Sequence, residues 1–172
     1  MKLNEIRFPG QKEEKFKIYL DLDGVMADFD RGKKEILELD LNTPEDDMFA
    51  VMASPKGNGF YKKLKKLPGA NDLWKFLRFE DVEILSAIPK ASRGVKGAKA
   101  DKITWVRKNI SPSIPINIVE GGSTKKRFAN PQSILIDDRK EVLRSWTSAG
   151  GIGVLHTSAT RSIQQLRNLG VG

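Results

Sequence analysis

The segment from residue 17 to residue 29 constrains the chain most, because an apolar strand pattern ends there in two carboxylates. It reads Lys-Ile-Tyr-Leu-Asp-Leu-Asp-Gly-Val-Met-Ala-Asp-Phe, and its β-branched and aromatic start is typical of a buried strand. Residues two apart in a strand point the same way, so Asp21 and Asp23 would crowd together. Unpaired carboxylates cost least where a parallel strand opens into a loop, and Gly24 suits the sharp turn there. A hard cation would explain the two acids, whereas the simpler interpretation is a solvated turn.

Length and composition exclude several classes of protein. At 172 residues the chain is long enough for one domain with a proper core. It has no cysteine and one histidine, which excludes thiol chemistry and a multi-histidine zinc site within the chain. There is no apolar run of membrane-spanning length and no apolar signal-peptide core near the N-terminus, so we expect a cytoplasmic protein without a membrane partner.

The net charge points to an anionic partner. The formal charge is +8, which favours a phosphorylated metabolite or a nucleic acid. The densest basic cluster is Lys62, Lys63, Lys65 and Lys66. A solvated helix face is the favoured interpretation of that cluster, so a nucleic-acid partner is an alternative and not the favoured prediction.

Strand patterns alternate with helical patterns along the chain. We expect strands at residues 16–22, 82–87, 116–119, 133–138 and 152–156. We expect helices at residues 28–41, 71–79, 101–109, 141–148 and 162–169. A further helix is expected to start after an N-cap at Thr43. This alternation predicts right-handed βαβ units and a parallel sheet. Residues 1–15, with a Pro9-Gly10 turn, read as a leader, residues 16–172 as the core domain, and residues 28–67 as a small helical insertion.

The predicted sheet brings distant polar residues together. In open parallel sheets, ligands bind at the carboxyl ends of the strands, where Asp21, Asp23, Ser86, Asp137 and Asp138 all fall. Four acids at one edge would repel each other, and a divalent cation would relieve the repulsion. Oxygen ligands of this kind suit Mg²⁺. A carboxylate beside Mg²⁺ can attack phosphorus, a second can protonate the leaving oxygen, and a hydroxyl and a lysine can hold the phosphoryl oxygens.

Three short motifs resemble those of the haloacid dehalogenase (HAD) superfamily of phosphohydrolases. Asp21-Leu22-Asp23-Gly24-Val25 resembles its first motif, Ile84-Leu85-Ser86 its second, and Leu135-Ile136-Asp137-Asp138 its fourth. The third motif is a lysine, for which Lys125 and Lys126 are both candidates, with Lys125 preferred. The resemblance implies a HAD-like Rossmannoid three-layer α/β/α fold with a mainly parallel sheet. It also implies a small helical cap inserted after the first strand.

Further segments resemble the 5'(3')-deoxyribonucleotidase family, whose members occur in phages, bacteria and higher organisms. The segments that carry this resemblance are residues 21–29, Gly59-Phe60-Tyr61, Leu67-Pro68-Gly69-Ala70, Lys102 with Trp105-Val106, and residues 135–139. They follow one another over most of residues 17–139. The resemblance implies a Mg²⁺-dependent phosphatase that hydrolyses nucleoside monophosphates, especially deoxyribonucleotides, through an aspartyl-phosphate. By the same analogy, a homodimer is an expectation.

The resemblance also implies roles for individual residues. Asp21 would be the nucleophile and Asp23 the general acid and base. Mg²⁺ would be held by oxygen ligands from the two acidic motifs: Asp21, Asp23 through its carbonyl, and Asp137 or Asp138. The substrate would be bound by a nucleoside-pocket residue and several phosphate contacts: Phe29, Ser86, Lys102, Lys125 or Lys126.

The chain departs from the family in two places. The family usually has Thr-Ser-Pro where this chain has Ser86-Ala87-Ile88-Pro89, so one hydroxyl is missing, and the loop 90–99 is more basic than expected. Two other functions therefore stay open: a phosphatase for nucleic-acid ends or another phosphorylated metabolite, and a catalytically silent binding module. Structural interpretations also exist for single residues, since Ser86 could satisfy a backbone group, Lys102 could be a surface charge and Phe29 could be ordinary packing.

Overall fold

Five parallel strands form the centre of the protein. The structure is a computed structural model and describes residues 15–172, so the predicted leader and its turn lie outside the described residues except for Lys15. The strands are β1 Lys17–Leu20, β2 Val82–Ile88, β3 Ile116–Glu120, β4 Ser133–Asp137 and β5 Ile152–Leu155. They pair in the order β3-β2-β1-β4-β5, and each pair is parallel. The predicted strands and the predicted parallel α/β fold are confirmed.

Helical segments connect the strands. The α-helices are α1 Phe29–Glu35, α2 Glu45–Ala53, α3 Phe60–Lys63, α4 Ala70–Leu77, α5 Ala98–Asn109, α6 Lys140–Ser148 and α7 Ala159–Asn168. Short 3-10 turns are Pro55–Gly57, Ala91–Arg93 and Gly122–Phe128. Within residues 15–172, none of the helices combines the length and apolar character that a membrane span requires.

The first helix is shorter than the sequence pattern predicts. It ends at Glu35 and not at Leu41, and Glu38 adopts a positive φ of 54°. The reason is the buried side chain of Lys33, whose Nζ donates to the carbonyl oxygens of Leu41 at 2.8 Å and Thr43 at 3.3 Å. These two bonds turn the chain back over α1, so the helical prediction for residues 36–41 is wrong.

The start of α2 also differs from the prediction. The N-cap is Pro44, which has no side-chain oxygen to offer, and not Thr43. The acids expected in the first turn are present at residues 45–47, where they interact favourably with the positive end of the helix dipole.

Two hydrophobic clusters cover the two faces of the sheet. Ile18 and Leu20 of β1 belong to the larger cluster, whereas the intervening Tyr19 belongs to the smaller one with Trp146 of α6. The ring of Tyr19 meets that of Trp146 edge to face, with centroids 5.6 Å apart. Alternate residues of one strand therefore enter different clusters, as expected of a sheet covered on both faces.

The strand order determines where a ligand can bind. After β1, the chain forms β2 and then β3 on one side of β1. It then returns to the other side of β1 and forms β4 and β5 there. The carboxyl ends of β1 and β4 are neighbours at this reversal, which is where open α/β sheets form a crevice. Asp21 directly follows β1 and Asp137 is the last residue of β4. Helices α1, α2 and α3 follow β1 within the segment predicted as the cap.

Candidate active site

One buried lysine joins the acids at the ends of β1 and β4. Lys125 Nζ lies 2.8 Å from Asp21 Oδ1 and 2.6 Å from Asp137 Oδ2, and all three side chains are at least nine-tenths buried. Burial lowers the pKa of Lys125, but the charges of Asp21 and Asp137 outweigh it and raise this pKa above its usual value. The ammonium therefore stays charged beside the two carboxylates.

The neighbouring lysine lies elsewhere. Both lysines belong to the 3-10 turn Gly122–Phe128, but Lys126 is exposed and borders a shallow depression beside α6. Successive residues of a 3-10 turn point about 120° apart, so only one of two adjacent side chains can enter the crevice. The structure brings Lys125 to the acid cluster and leaves Lys126 outside it.

Three carboxylates form an all-oxygen cluster. Carboxylate oxygens of Asp21, Asp137 and Asp138 lie within 4.8 Å of one another. The carbonyl of Asp23 accepts no hydrogen bond from the described residues. Gly24, at φ +78°, makes room for the cluster, because a Cβ there would lie 2.1 Å from Asp138 Oδ2. Oxygen donors with charge of this sign are the ligands that Mg²⁺ prefers, so the residues present fit the ion.

Two acids of this cluster, Asp137 and Asp138, are destabilised as anions. Burial, together with the charge of Asp21, raises the pKa of Asp137 to about 6, although Lys125 opposes the shift. Burial and the charges of Asp21 and Asp137 raise the pKa of Asp138 to about 7. A divalent cation among the carboxylates would reverse both effects, because it favours their charged forms.

A second buried lysine joins Asp23 to Ser86. Lys102 Nζ lies 2.5 Å from Asp23 Oδ2 and donates to Ser86 Oγ at 2.9 Å. The face of the Tyr61 ring covers the same ammonium, with 4.6 Å between Nζ and the ring centroid. Burial raises the pKa of Asp23, and the charge of Lys102 counteracts part of that shift. The pKa of Asp23 is raised, and about a quarter of its side chain is still exposed. This carboxyl can therefore both hold and release a proton.

A large cleft opens over the two clusters. Its volume is about 1020 Å³, ample for a small-molecule ligand of nucleotide size. Phe29 of α1 is in its wall, where the ring packs edge to face on Phe60 with centroids 5.3 Å apart. Besides the acid cluster, the cleft is bordered by aromatic, basic and acidic side chains: Asp28, Phe29, Asp30, Glu45, Phe49, Tyr61, Lys90, Arg93 and Arg139.

Most of the residues singled out from the sequence meet at this edge. The structure brings together the following side chains: Asp21, Asp23, Ser86, Lys102, Lys125, Asp137 and Asp138. Ser86 and Lys102 lie beneath the cleft surface, since both are almost fully buried. Sequence reasoning assigned no role to Tyr61, although it stands in a segment that resembles the nucleotidase family. The basic loop after β2 was noticed as a departure, but the position of Lys90 in the cleft was not foreseen.

Comparison with known proteins identifies the fold. A HAD family hydrolase from Deinococcus radiodurans R1, solved with bound phosphate and sodium, has a TM-score of 0.54 at 13% identity, covering 93% of this chain and 98% of that one. A hydrolase from Streptococcus pneumoniae TIGR4 has a TM-score of 0.51 at 13% identity, covering 89% and 99%. A HAD-superfamily hydrolase of subfamily IA from Geobacter sulfurreducens PCA also reaches 0.51, at 12% identity, covering 84% and 88%.

The likeness is one of structure and not of sequence. No protein-family profile matches the chain, and no curated protein is significantly similar to it in sequence. The chain has the fold of HAD-like hydrolases, as its motifs predict.

Proposed function

We propose that the protein is a Mg²⁺-dependent phosphomonoesterase that hydrolyses nucleoside monophosphates, especially deoxyribonucleotides, through an aspartyl-phosphate. The observation that carries this proposal is the buried contact of Lys125 with Asp21 and Asp137 where the strand order reverses. The carboxylate that we propose as the nucleophile, the cation that we propose as a phosphate ligand and an oxygen cluster suited to a divalent ion lie there side by side. The motifs that resemble those of HAD phosphohydrolases, and the shared fold, support the same chemistry.

In the first step, Asp21 attacks the phosphorus and the bond to the leaving oxygen breaks. Asp23 gives its proton to that oxygen, so the leaving group departs as a neutral alcohol. Lys125 orients the Asp21 carboxylate and compensates negative charge on the phosphoryl oxygens. Bound Mg²⁺, held by Asp21, the Asp23 carbonyl and Asp137 or Asp138, would reduce the repulsion between the nucleophile and the anionic ester.

In the second step, a water molecule attacks the phosphorus of the aspartyl-phosphate. Asp23, now ionised, takes the proton of that water, and the phosphorus–oxygen bond to Asp21 breaks to release phosphate. Lys102 keeps Asp23 and Ser86 in a fixed relation through its two short contacts. The family resemblance implies that Ser86 and Lys102 bind the phosphate. Because both lie beneath the cleft surface, we propose that they act on the phosphate site by holding Asp23.

The cleft supports a leaving group of nucleoside size. Its volume exceeds what a phosphate needs, and Phe29, Phe49 and Tyr61 supply aromatic surface on the side of the helical insertion. Planar rings stack favourably on such surfaces. The homodimer and the cytoplasmic location stay predictions of the sequence.

The test is phosphate release from a panel of 5'- and 3'-nucleoside monophosphates, with Mg²⁺ and with EDTA. We expect release to need the metal, and Asp21→Asn to lower kcat roughly a thousandfold or more. Asp72→Asn, an exposed acid of α4, is the matched control and should behave as the wild type. Equal release in EDTA, or from the Asp21→Asn protein, would refute the mechanism. Inactivity on all mononucleotides would redirect the search to nucleic-acid ends or another phosphorylated metabolite.

A further inference from the structure

One wall of the cleft is acidic, and the other carries cations next to the acids Asp138 and Glu141. Carboxylates line it on the side of α1 and α2, from Asp28, Asp30 and Glu45. Basic side chains line it where the chain leaves β2 and β4, including Lys90 and Arg139. An anionic group on a ligand is therefore repelled from the first wall and attracted to the second.

The cations of the cleft differ in how far carboxylates neutralise them. Lys125 is held between acids of the metal cluster, and Arg93 forms ion pairs with Asp46 and Glu45 of α2. In the described part of the chain, no carboxylate oxygen lies within 4.0 Å of Lys90 Nζ. Lys90 is therefore a cleft cation whose charge is not balanced by a neighbouring acid.

Only one edge of the Arg139 guanidinium contacts a carboxylate. Its Nε and Nη2 contact Oε1 of Glu141 at 2.8 and 2.7 Å, whereas Nη1 has no partner among residues 15–172. That Nη1 flanks Gly122, because a Cβ placed there would lie 3.6 Å from it. Lys90 flanks the preceding residue in the same way, with its Cε 3.6 Å from a Cβ placed on Gly121. Lys90 therefore lies beside Gly121, and Arg139 lies beside the adjacent Gly122.

The backbone holds this arrangement in place. Gly121 has φ +77° and ψ 138°, which residues with a Cβ rarely adopt. Its amide donates to the Ile88 carbonyl at 3.0 Å, and the amide of Ala91 donates to Glu120 Oε1 at 2.7 Å. These two bonds fasten the segment that carries Lys90 to the end of β3. The position of Lys90 beside Gly121 is thus set by the fold.

We propose that Lys90 and Arg139 form a second anion site in the cleft, for substrates that carry a second phosphate on the leaving group. This inference rests on the proposed function and narrows its substrate class to nucleotides with two phosphates. A nucleoside 3',5'-bisphosphate and the 5'-phosphorylated end of a short oligonucleotide both present that chemistry. In each, the reacting phosphate lies at the acid cluster, and the second phosphate meets Lys90 and the Nη1 edge of Arg139.

The experiment compares thymidine 5'-monophosphate, thymidine 3',5'-bisphosphate and a 5'-phosphorylated thymidine dinucleotide. The readouts are kcat/KM with Mg²⁺, and Kd by calorimetry in EDTA, where turnover is suppressed. The variants are Lys90→Gln and Arg139→Gln. Lys96→Gln is the control, since it removes an exposed charge of the same β2–α5 connection outside the cleft.

The wild type should prefer at least one doubly phosphorylated ligand over the monophosphate by roughly tenfold or more, and each cleft variant should lose most of that ratio. A preference for the bisphosphate identifies the second phosphate as that of a nucleoside bisphosphate. A preference for the dinucleotide identifies it as a phosphate of an oligonucleotide. A ratio near one in the wild type, or a ratio that neither cleft variant changes, would overturn the inference. Absence of turnover on every substrate would defeat the proposed function instead, and the Kd ratios would still decide whether the second site exists.

Discussion

Tyr61 sets the environment of Lys102 although it carries no charge itself. Its ring covers the Lys102 ammonium, whose hydrogen-bond and ion-pair partners among residues 15–172 are Asp23 and Ser86. An aromatic face stabilises a nearby cation electrostatically and, in this position, also excludes water from it. In the proposed mechanism, Tyr61 is therefore a positioning residue that acts through Lys102.

A substitution series at Tyr61 tests this role. Tyr61→Leu removes the ring, and we expect kcat to fall roughly three- to thirtyfold, in line with the strength of a partly buried cation–π contact. Tyr61→Phe keeps the ring and should retain most of the activity. Phe60→Leu is the matched control, because Phe60 packs on Tyr61 at 5.2 Å between centroids without being the ring over Lys102. If the Phe variant fell as far as the Leu variant, the hydroxyl and not the ring would carry the effect.

The contacts between individual side chains of the site could not be predicted from the sequence. The motifs singled out Asp21, Asp23 and Lys102, but a sequence does not show that Lys102 reaches across 79 positions to Asp23. The choice between Lys125 and Lys126 likewise depends on the phase of a 3-10 turn, which composition does not reveal. Both facts follow from the packing of elements that are distant along the chain.

Among the elements, α1 is linked to the loop that follows it by one buried charged side chain. Lys33 crosses from α1 to the loop before α2 and bonds two carbonyls there, at residues 41 and 43. Without this lysine, those carbonyls would lose their partner and the loop would lose its link to α1. Lys33 is thus a buried polar link between α1 and the segment 36–43, in addition to the backbone bonds and the buried Leu37 that also hold this segment.

Lys33→Met tests the contribution of that contact. Methionine keeps much of the apolar stem but cannot donate, so we expect a loss of about 1–3 kcal/mol in the free energy of unfolding. Amide hydrogen exchange should accelerate in residues 36–44 and change little in the sheet. Lys34→Met, at the exposed neighbouring position, is the control. Equal effects of the two substitutions would show that the buried contact contributes nothing specific.

Elements were predictable where burial sets the pattern. All five strands appear where apolar runs end in turn residues, since a strand covered on both faces must be apolar throughout. Helix ends were less predictable, because local contacts override propensity there. Lys33 shortens α1, and Pro44 takes the N-cap position expected for Thr43.

At the scale of the whole molecule, the sheet order creates the site. Strands β1 and β4 are separated by more than a hundred residues of chain, yet their register places the end of one beside the end of the other. This neighbourhood could be predicted, because parallel βαβ topology directs all carboxyl ends to one edge. The uneven distribution of charge in the cleft could not be predicted, because it depends on which surface cations form ion pairs with acids of α2 and α6.

The central claim is that Asp21 becomes covalently phosphorylated, and the most direct test is mass spectrometry of the quenched enzyme. Asp23→Asn protein with Mg²⁺ would be mixed with 4-nitrophenyl phosphate, whose phenolate leaves without a proton from Asp23, then quenched in acid, digested and mapped. Because Asp23 is needed to activate the attacking water, the intermediate should accumulate, and the peptide containing Asp21 should gain the mass of one phosphoryl group at that residue. Phosphate released by the wild type with no phosphorylated Asp21 in either protein, or a phosphoryl group on another residue, would contradict the account.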